Sequence, residues 1–118
     1  MENLTFDKYQ EGAKETALYP NVGNNPYYPA LGLTGEAGEI ANKVKKIMRD
    51  KDGHIDDETR DDIKKELGDV LWYVAAVASE FGLSMGDIAS KNYDKLKKRQ
   101  ENNTIKVVVT IGKFLSMC

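Results

Sequence analysis

The strongest constraint in this chain is a pattern that occurs twice, thirty residues apart. One copy runs Leu33, Glu36, Gly38, Glu39, Ile40, Val44, Ile47; the other runs Ile63, Glu66, Gly68, Asp69, Val70, Val74, Val77. The apolar members recur at helical spacing, so each copy predicts an amphipathic helix. Within each, E-x-G-[ED] sets two carboxylates three residues apart, where they are neighbours on one helix face. At about 100° per residue, the first acid borders the apolar stripe and the second lies about 60° further round. Packed antiparallel, two such helices would direct all four carboxylates into one patch. Gly38 and Gly68 would let the backbones approach there, at about 1 kcal/mol each for glycine in a helix interior.

The remaining elements follow from caps and breakers. Thr5 is a natural N-cap for a first helix over Phe6 to Leu18. The stretch Tyr19 to Pro29 reads as a loop, because Pro20, Pro26 and Pro29 each oppose helix continuation. The second helix is expected over Ala30 to Arg49 and the third over Glu58 to Phe81, joined by the polar turn Asp50 to Asp57. The centre of the third helix, Val70 to Ala78, is apolar nearly all round, which predicts neighbours on two sides and a homodimer or homotetramer. Gly82 stops it, and Ser84 with Asp87 forms a capping-box pattern for a fourth helix ending near Gln100. No strand alternation competes before residue 104, so the predicted fold class is all-α, a four-helix bundle-like arrangement.

Composition narrows the function. The net charge is −2, which provides no positive field for nucleic acid or anionic lipid. No apolar run reaches membrane-spanning length, and the first ten residues lack the apolar core of a signal peptide. The single cysteine is Cys118, so no intrachain disulfide can form, and a cytoplasmic location is the simplest expectation.

Four carboxylates confined in a partly desolvated patch call for a compensating cation. An oxygen-only ligand set selects hard ions, magnesium or manganese, and magnesium favours a shell shared with substrate phosphates. A single E-x-x-E is ordinarily a solvated face paired with lysines. The duplication beside two apolar stripes argues instead for Glu36, Glu39, Glu66 and Asp69 as a metal site. On the fourth helix, Ile88, Asn92, Lys95 and Arg99 fall within about 60° of one another. Polar donors sharing an apolar residue's face suit phosphate contact. Trp72, opposite its own helix's stripe, reads as core or interface. His54 sits in an acidic turn as a solvated residue, and no histidine stands at the E-x-x-H spacing of a di-iron bundle.

Taken together, residues 30–46 and 66–99, with Glu36-x-x-Glu39 and Glu66-x-x-Asp69, resemble the MazG-like group of all-α nucleoside triphosphate pyrophosphohydrolases over about residues 4–106. The resemblance implies magnesium-dependent hydrolysis of a (deoxy)nucleoside triphosphate between the α- and β-phosphates. It implies that the four carboxylates hold the metal and carry catalysis. It also implies an assembly at least dimeric and a role in nucleotide-pool control. Asn92, Lys95 and Arg99 become phosphate or sugar contacts, with Lys43 and Lys46 as further candidates. Tyr19, Asn25 and Tyr28 belong to the loop with which family members bind the base. The alternative reading is a catalytically silent helical dimer serving as a regulatory or partner-binding module.

The tail, residues 107–118, departs from this pattern. Relatives tend to end in a segment resembling Gly-Ser-Gly-Asp-Asn-Arg, whereas residues 107–112 read VVVTIG. Encoded as GTA GTG GTG ACA ATA GG and read with one preceding G, the same DNA gives Gly-Ser-Gly-Asp-Asn-Arg. A single-nucleotide frameshift is therefore expected behind residues 107–118, leaving 1–106 as the domain.

Overall fold

The structure is a computed structural model that describes residues 3–102; the atypical tail lies outside them. Among the described residues there are four helices and no strand: α1 (Phe6–Glu15), α2 (Tyr27–Asp50), α3 (Asp57–Glu80) and α4 (Met85–Glu101). The predicted all-α class is what forms. None of these helices is long and apolar enough to cross a membrane. The chain divides into two compact units after Met85.

Local chemistry sets each boundary. Thr5 Oγ1 accepts the Lys8 amide at 3.1 Å and opens α1. That helix ends at Glu15, three residues short of expectation, because Thr16 turns its hydroxyl onto the Ala13 carbonyl at 2.9 Å. Conversely, α2 begins at Tyr27, earlier than the prolines suggested. Pro29 sits in its first turn, where an amide has no helical acceptor anyway. Asn25 Oδ1 takes the Tyr28 amide at 3.2 Å and caps the start. Asp56 Oδ1 accepts the Thr59 amide at 2.8 Å to open α3. At its far end Gly82 adopts φ +67°, and the Leu83 amide closes onto the Ala78 carbonyl at 2.8 Å. A left-handed residue that ends a helix this way is most easily glycine.

The long helices pair antiparallel. Gly32 lies against Tyr73, Lys43 approaches Glu66, and Lys51 bonds Thr59. The close approach is at Gly32, where an added Cβ would fall 2.2 Å from the Tyr73 ring. This corrects the expectation placed on Gly38 and Gly68, which are exposed and would hold a Cβ with nothing within 4 Å. They lie on outward arcs of their helices, so within the chain they bring no backbones together.

The core sits between α1 and α3, where Ala13, Ala75, Ala78 and Met85 are buried and Tyr9, Leu71, Trp72 and Val74 pack around them. The buried face of α3 is therefore its alanine face. Two members of the expected stripe, Leu67 and Phe81, stay exposed, since alanine allows a closer helix approach than a larger side chain. Trp72 joins this core as expected, with its Nε1 donating to Thr16 Oγ1 at 2.8 Å. Gln10 is buried and fully engaged. Its Nε2 donates to Ser79 Oγ and the Leu83 carbonyl, and its Oε1 accepts the Met85 amide. One side chain thus ties α1 to the turn that follows α3.

The Asp56 cap generates a pH prediction. Hydrogen bonds from Thr59, then from Lys51, hold its carboxyl well below the ordinary range. Its contribution is therefore complete above the ordinary carboxylate pKa and disappears as pH falls through the lower folded value. Asp56→Ala should lower the melting temperature by roughly 4–8 °C at pH 7. The gap between wild type and variant should be constant from pH 6 to 8 and begin to narrow only below about pH 4, as read by circular dichroism.

Candidate metal and nucleotide site

The paired helices bring acids together at mid-length. Carboxylate oxygens of Glu36, Glu66 and Asp69 lie within 4.8 Å of one another. Glu36 and Glu66 are half-buried, while Asp69 is exposed. Glu39, the fourth acid of the pattern, stands one turn further along α2. It is exposed and outside that spacing, but its charge still acts on Glu36.

The electrostatics are those of an uncompensated cluster. The Glu36 carboxyl is pushed above its ordinary value, first by hydrogen bonding with Glu66, then by burial and the charges of Asp69, Glu66 and Glu39. Glu66 Oε2 is buried without a hydrogen-bond donor, and two ionised carboxylates carry no proton to share. Either a proton on Glu36 bridges the pair or a cation does. Lys43 reaches only the other oxygen, Glu66 Oε1, in a long ion pair of 3.9 Å, and leaves Oε2 without a donor. Three converging carboxylates with an orphaned oxygen fit a hard divalent ion held partly by protein and partly by water or phosphate.

The other predicted residues separate into groups. Lys43 stands at the edge of the acid cluster. Lys46 lines a neighbouring cleft with Asp50, Lys51, Thr59 and Asp62. Tyr19, Asn25 and Tyr28 come together in the loop before α2 and its first turn. The Tyr19 and Tyr28 rings stack with centroids 5.0 Å apart and planes 10° from parallel. Tyr19 is buried and Tyr28 is exposed. Asn25 is occupied holding the loop, with Nδ2 on the Pro20 carbonyl at 2.8 Å and Oδ1 on the Tyr28 amide. Asn92, Lys95 and Arg99 are exposed along α4 in the second unit.

Two contributors escaped the sequence reading. Tyr73, seated over Gly32, has its phenol raised by burial, then by Tyr28, Glu36 and Asp69, which places it between the acids and the aromatic loop. Glu80 binds that loop from the end of α3. A signal was present: positions 66, 69, 73 and 80 fall within about 60° on a helical wheel.

An all-α hairpin carrying this carboxylate cluster has a match among protein families. Residues 28–104 match the MazG nucleotide pyrophosphohydrolase domain, and the chain belongs to that family. The Gene 37 protein of Mycobacterium phage L5 is 48% identical over 107 residues, covering 86% of this chain and 94% of its own. The uncharacterized protein YvdC of Bacillus subtilis (strain 168) is 33% identical over 93 residues, covering 72% and 88% respectively. No solved structure matches the chain.

Clustered like charges have a measurable consequence. In metal-free buffer, Glu66→Gln should raise the melting temperature by about 3–6 °C, because it relieves repulsion without altering shape. If magnesium binds there, millimolar magnesium should raise the melting temperature of wild type, and the same substitution should abolish most of that rise. A lower melting temperature in the metal-free variant would mean that Glu66 is a structural partner and not an unsatisfied ligand.

Proposed function

We propose that the protein hydrolyses a (deoxy)nucleoside triphosphate between its α- and β-phosphates, releasing a nucleoside monophosphate and pyrophosphate. The carrying observation is the cluster of Glu36, Glu66 and Asp69 with the donorless Glu66 oxygen, in a chain of the MazG pyrophosphohydrolase family. Magnesium is the proposed cofactor, with manganese as a substitute, held by Glu36, Glu66, Asp69 and the adjacent Glu39. When bound, such an ion supplies charge neutralisation for phosphates and a water of lowered pKa. The chain's residues do the rest. The acids concentrate negative charge at one place on a rigid hairpin, so a triphosphate arrives there only with its cation. Lys43 and, on α4, Asn92, Lys95 and Arg99 are proposed donors to phosphate or sugar. Lys46 extends that cationic edge. Tyr28, backed by Tyr19 and Asn25, offers an exposed ring to the base, and aromatic faces accept any base.

A homo-oligomer belongs to the same proposal. Val44, Met48, Ile55 and Leu67 are exposed by 45%, 73%, 53% and 54%. They line a groove of about 580 Å³ with Ile47 and Ile63 between α2 and α3. Self-association would bury this apolar surface.

Glu36→Gln, Glu39→Gln, Glu66→Gln and Asp69→Asn should each reduce pyrophosphate release by at least about a hundredfold while preserving helical circular dichroism. The assay is a panel of canonical and modified triphosphates with pyrophosphate as readout. Full activity in any two variants would refute the site. Light scattering at micromolar concentration should give a mass of two or more chains.

A further inference from the structure

Glu80 is the last residue of α3, remote along the helix from the acid cluster, and its carboxylate gathers the loop that precedes α2. The Tyr19 hydroxyl donates to Oε2 in a very short hydrogen bond. The Gly23 amide donates to Oε2 and the Asn25 amide to Oε1, each at 2.8 Å. The loop is shaped for this convergence. Asn21 and Gly23 take positive φ of 57° and 93°, which turns the backbone around the carboxylate. These donors hold the Glu80 carboxyl below its ordinary value, Tyr19 contributing most. It therefore remains an ionised acceptor at neutral pH.

The consequence travels by contact. Glu80 fixes the Tyr19 hydroxyl, and the buried Tyr19 ring supports Tyr28 from beneath at 5.0 Å. Asn25, held by its amide, caps the first turn that presents Tyr28. Both routes to Tyr28 start from one carboxylate, and a neutral amide there would lose a charge-assisted acceptor and confront one donor with another. We infer that Glu80 is a positioning residue that pre-organises the Tyr19–Tyr28 stack as the base-binding surface of the triphosphate site. This rests on the hydrolase reading and deepens it. Base recognition is then set by an anchor outside the metal ligands, and ordering the surface before binding lowers the entropic cost of holding the base.

The test uses Glu80→Gln and Tyr19→Phe with the four canonical deoxynucleoside triphosphates, and inorganic tripolyphosphate as a competitor without a base. Glu80→Gln should raise KM for the best triphosphate about tenfold with kcat within about twofold, the loss expected when stacking is weakened and the reacting centre is untouched. The inhibition constant of tripolyphosphate should not change. The Gly23 and Asn25 amides, hydrogen-bonded to Glu80 in wild type, should exchange faster in the variant. Tyr19→Phe, which removes one donor and keeps the ring, should shift KM in the same direction by less, and it carries the test if Glu80→Gln does not fold. Tyr28→Leu, which removes the ring itself, should raise KM at least as much as Glu80→Gln. An unchanged KM in Glu80→Gln, a fall in kcat alone, or an equal weakening of tripolyphosphate would overturn the assignment. If wild type turns over neither these four nor any other triphosphate of the canonical and modified panel, the hydrolase reading fails instead. The exchange measurement then decides the anchor by itself: unchanged protection at Gly23 and Asn25 overturns it, and lost protection sustains it.

Discussion

The first unit is organised around a repulsion. Three carboxylates within 4.8 Å of one another oppose the pairing of the two helices that carry them. With all three ionised and no cation bound, each like-charge contact at such a separation would cost on the order of 3 kcal/mol at an effective dielectric near 20, less where Asp69 meets solvent, and a proton on Glu36 relieves part of it. Domains of this size are stable by roughly 5–15 kcal/mol in total. The hairpin must therefore be held by other contacts, and the acids persist at a cost to stability. Those contacts are local: Gly32 admits the Tyr73 ring, Ile47 is buried at the far end, and Lys51 closes onto Thr59 and Asp56.

On the other side of α3, α1 supplies the counterweight. The alanines of α3 let α1 approach, and the few larger groups present are satisfied: Gln10 by three hydrogen bonds and Trp72 by Thr16. This contact fixes α3 as the central element. One of its faces is small and buried against α1, and another carries Glu66, Asp69 and Tyr73 toward α2.

Periodicity and caps made most of this legible in sequence. Helix identity follows from apolar spacing, and Thr5, Gly82 and the duplicated E-x-G-[ED] mark positions whose chemistry is local. Three things were not legible for the same physical reason, that they depend on which elements meet. Pro29 looked like a breaker and is a first-turn residue, because a proline's effect depends on whether its missing amide was needed. Gly38 and Gly68 looked like points of close approach, but the steric demand falls on Gly32, set by the Tyr73 ring of α3, which helical periodicity does not reveal as its neighbour. Glu80 drew no role from its place near the end of the third helix. Its role emerges only when the loop folds back over a separation of 55 to 61 residues.

The spacing along α3 carries the last step. From Asp69 to Tyr73 the helix rises about 6 Å, and from Asp69 to Glu80 about 16 Å, at 1.5 Å per residue. A single rigid rod thus orders an acidic patch, an aromatic side chain and the anchor of an aromatic loop, in that sequence. On the proposed reading, the charged end of the substrate is matched at one place and its aromatic end at another, and the rod sets the distance between them. The two ends can then diverge independently. On that reading, changes at Glu36, Glu66 or Asp69 would alter the chemistry, because they would alter charge at the proposed phosphate end. On the same reading, changes in the loop would alter which base fits, because the loop contributes no charge to that patch and its hydrogen bonds to α3, among the described residues, end on Glu80. The proposed reading thus separates specificity, assigned to the stretch between Tyr19 and Tyr28, from chemistry, assigned to the acids of the paired helices.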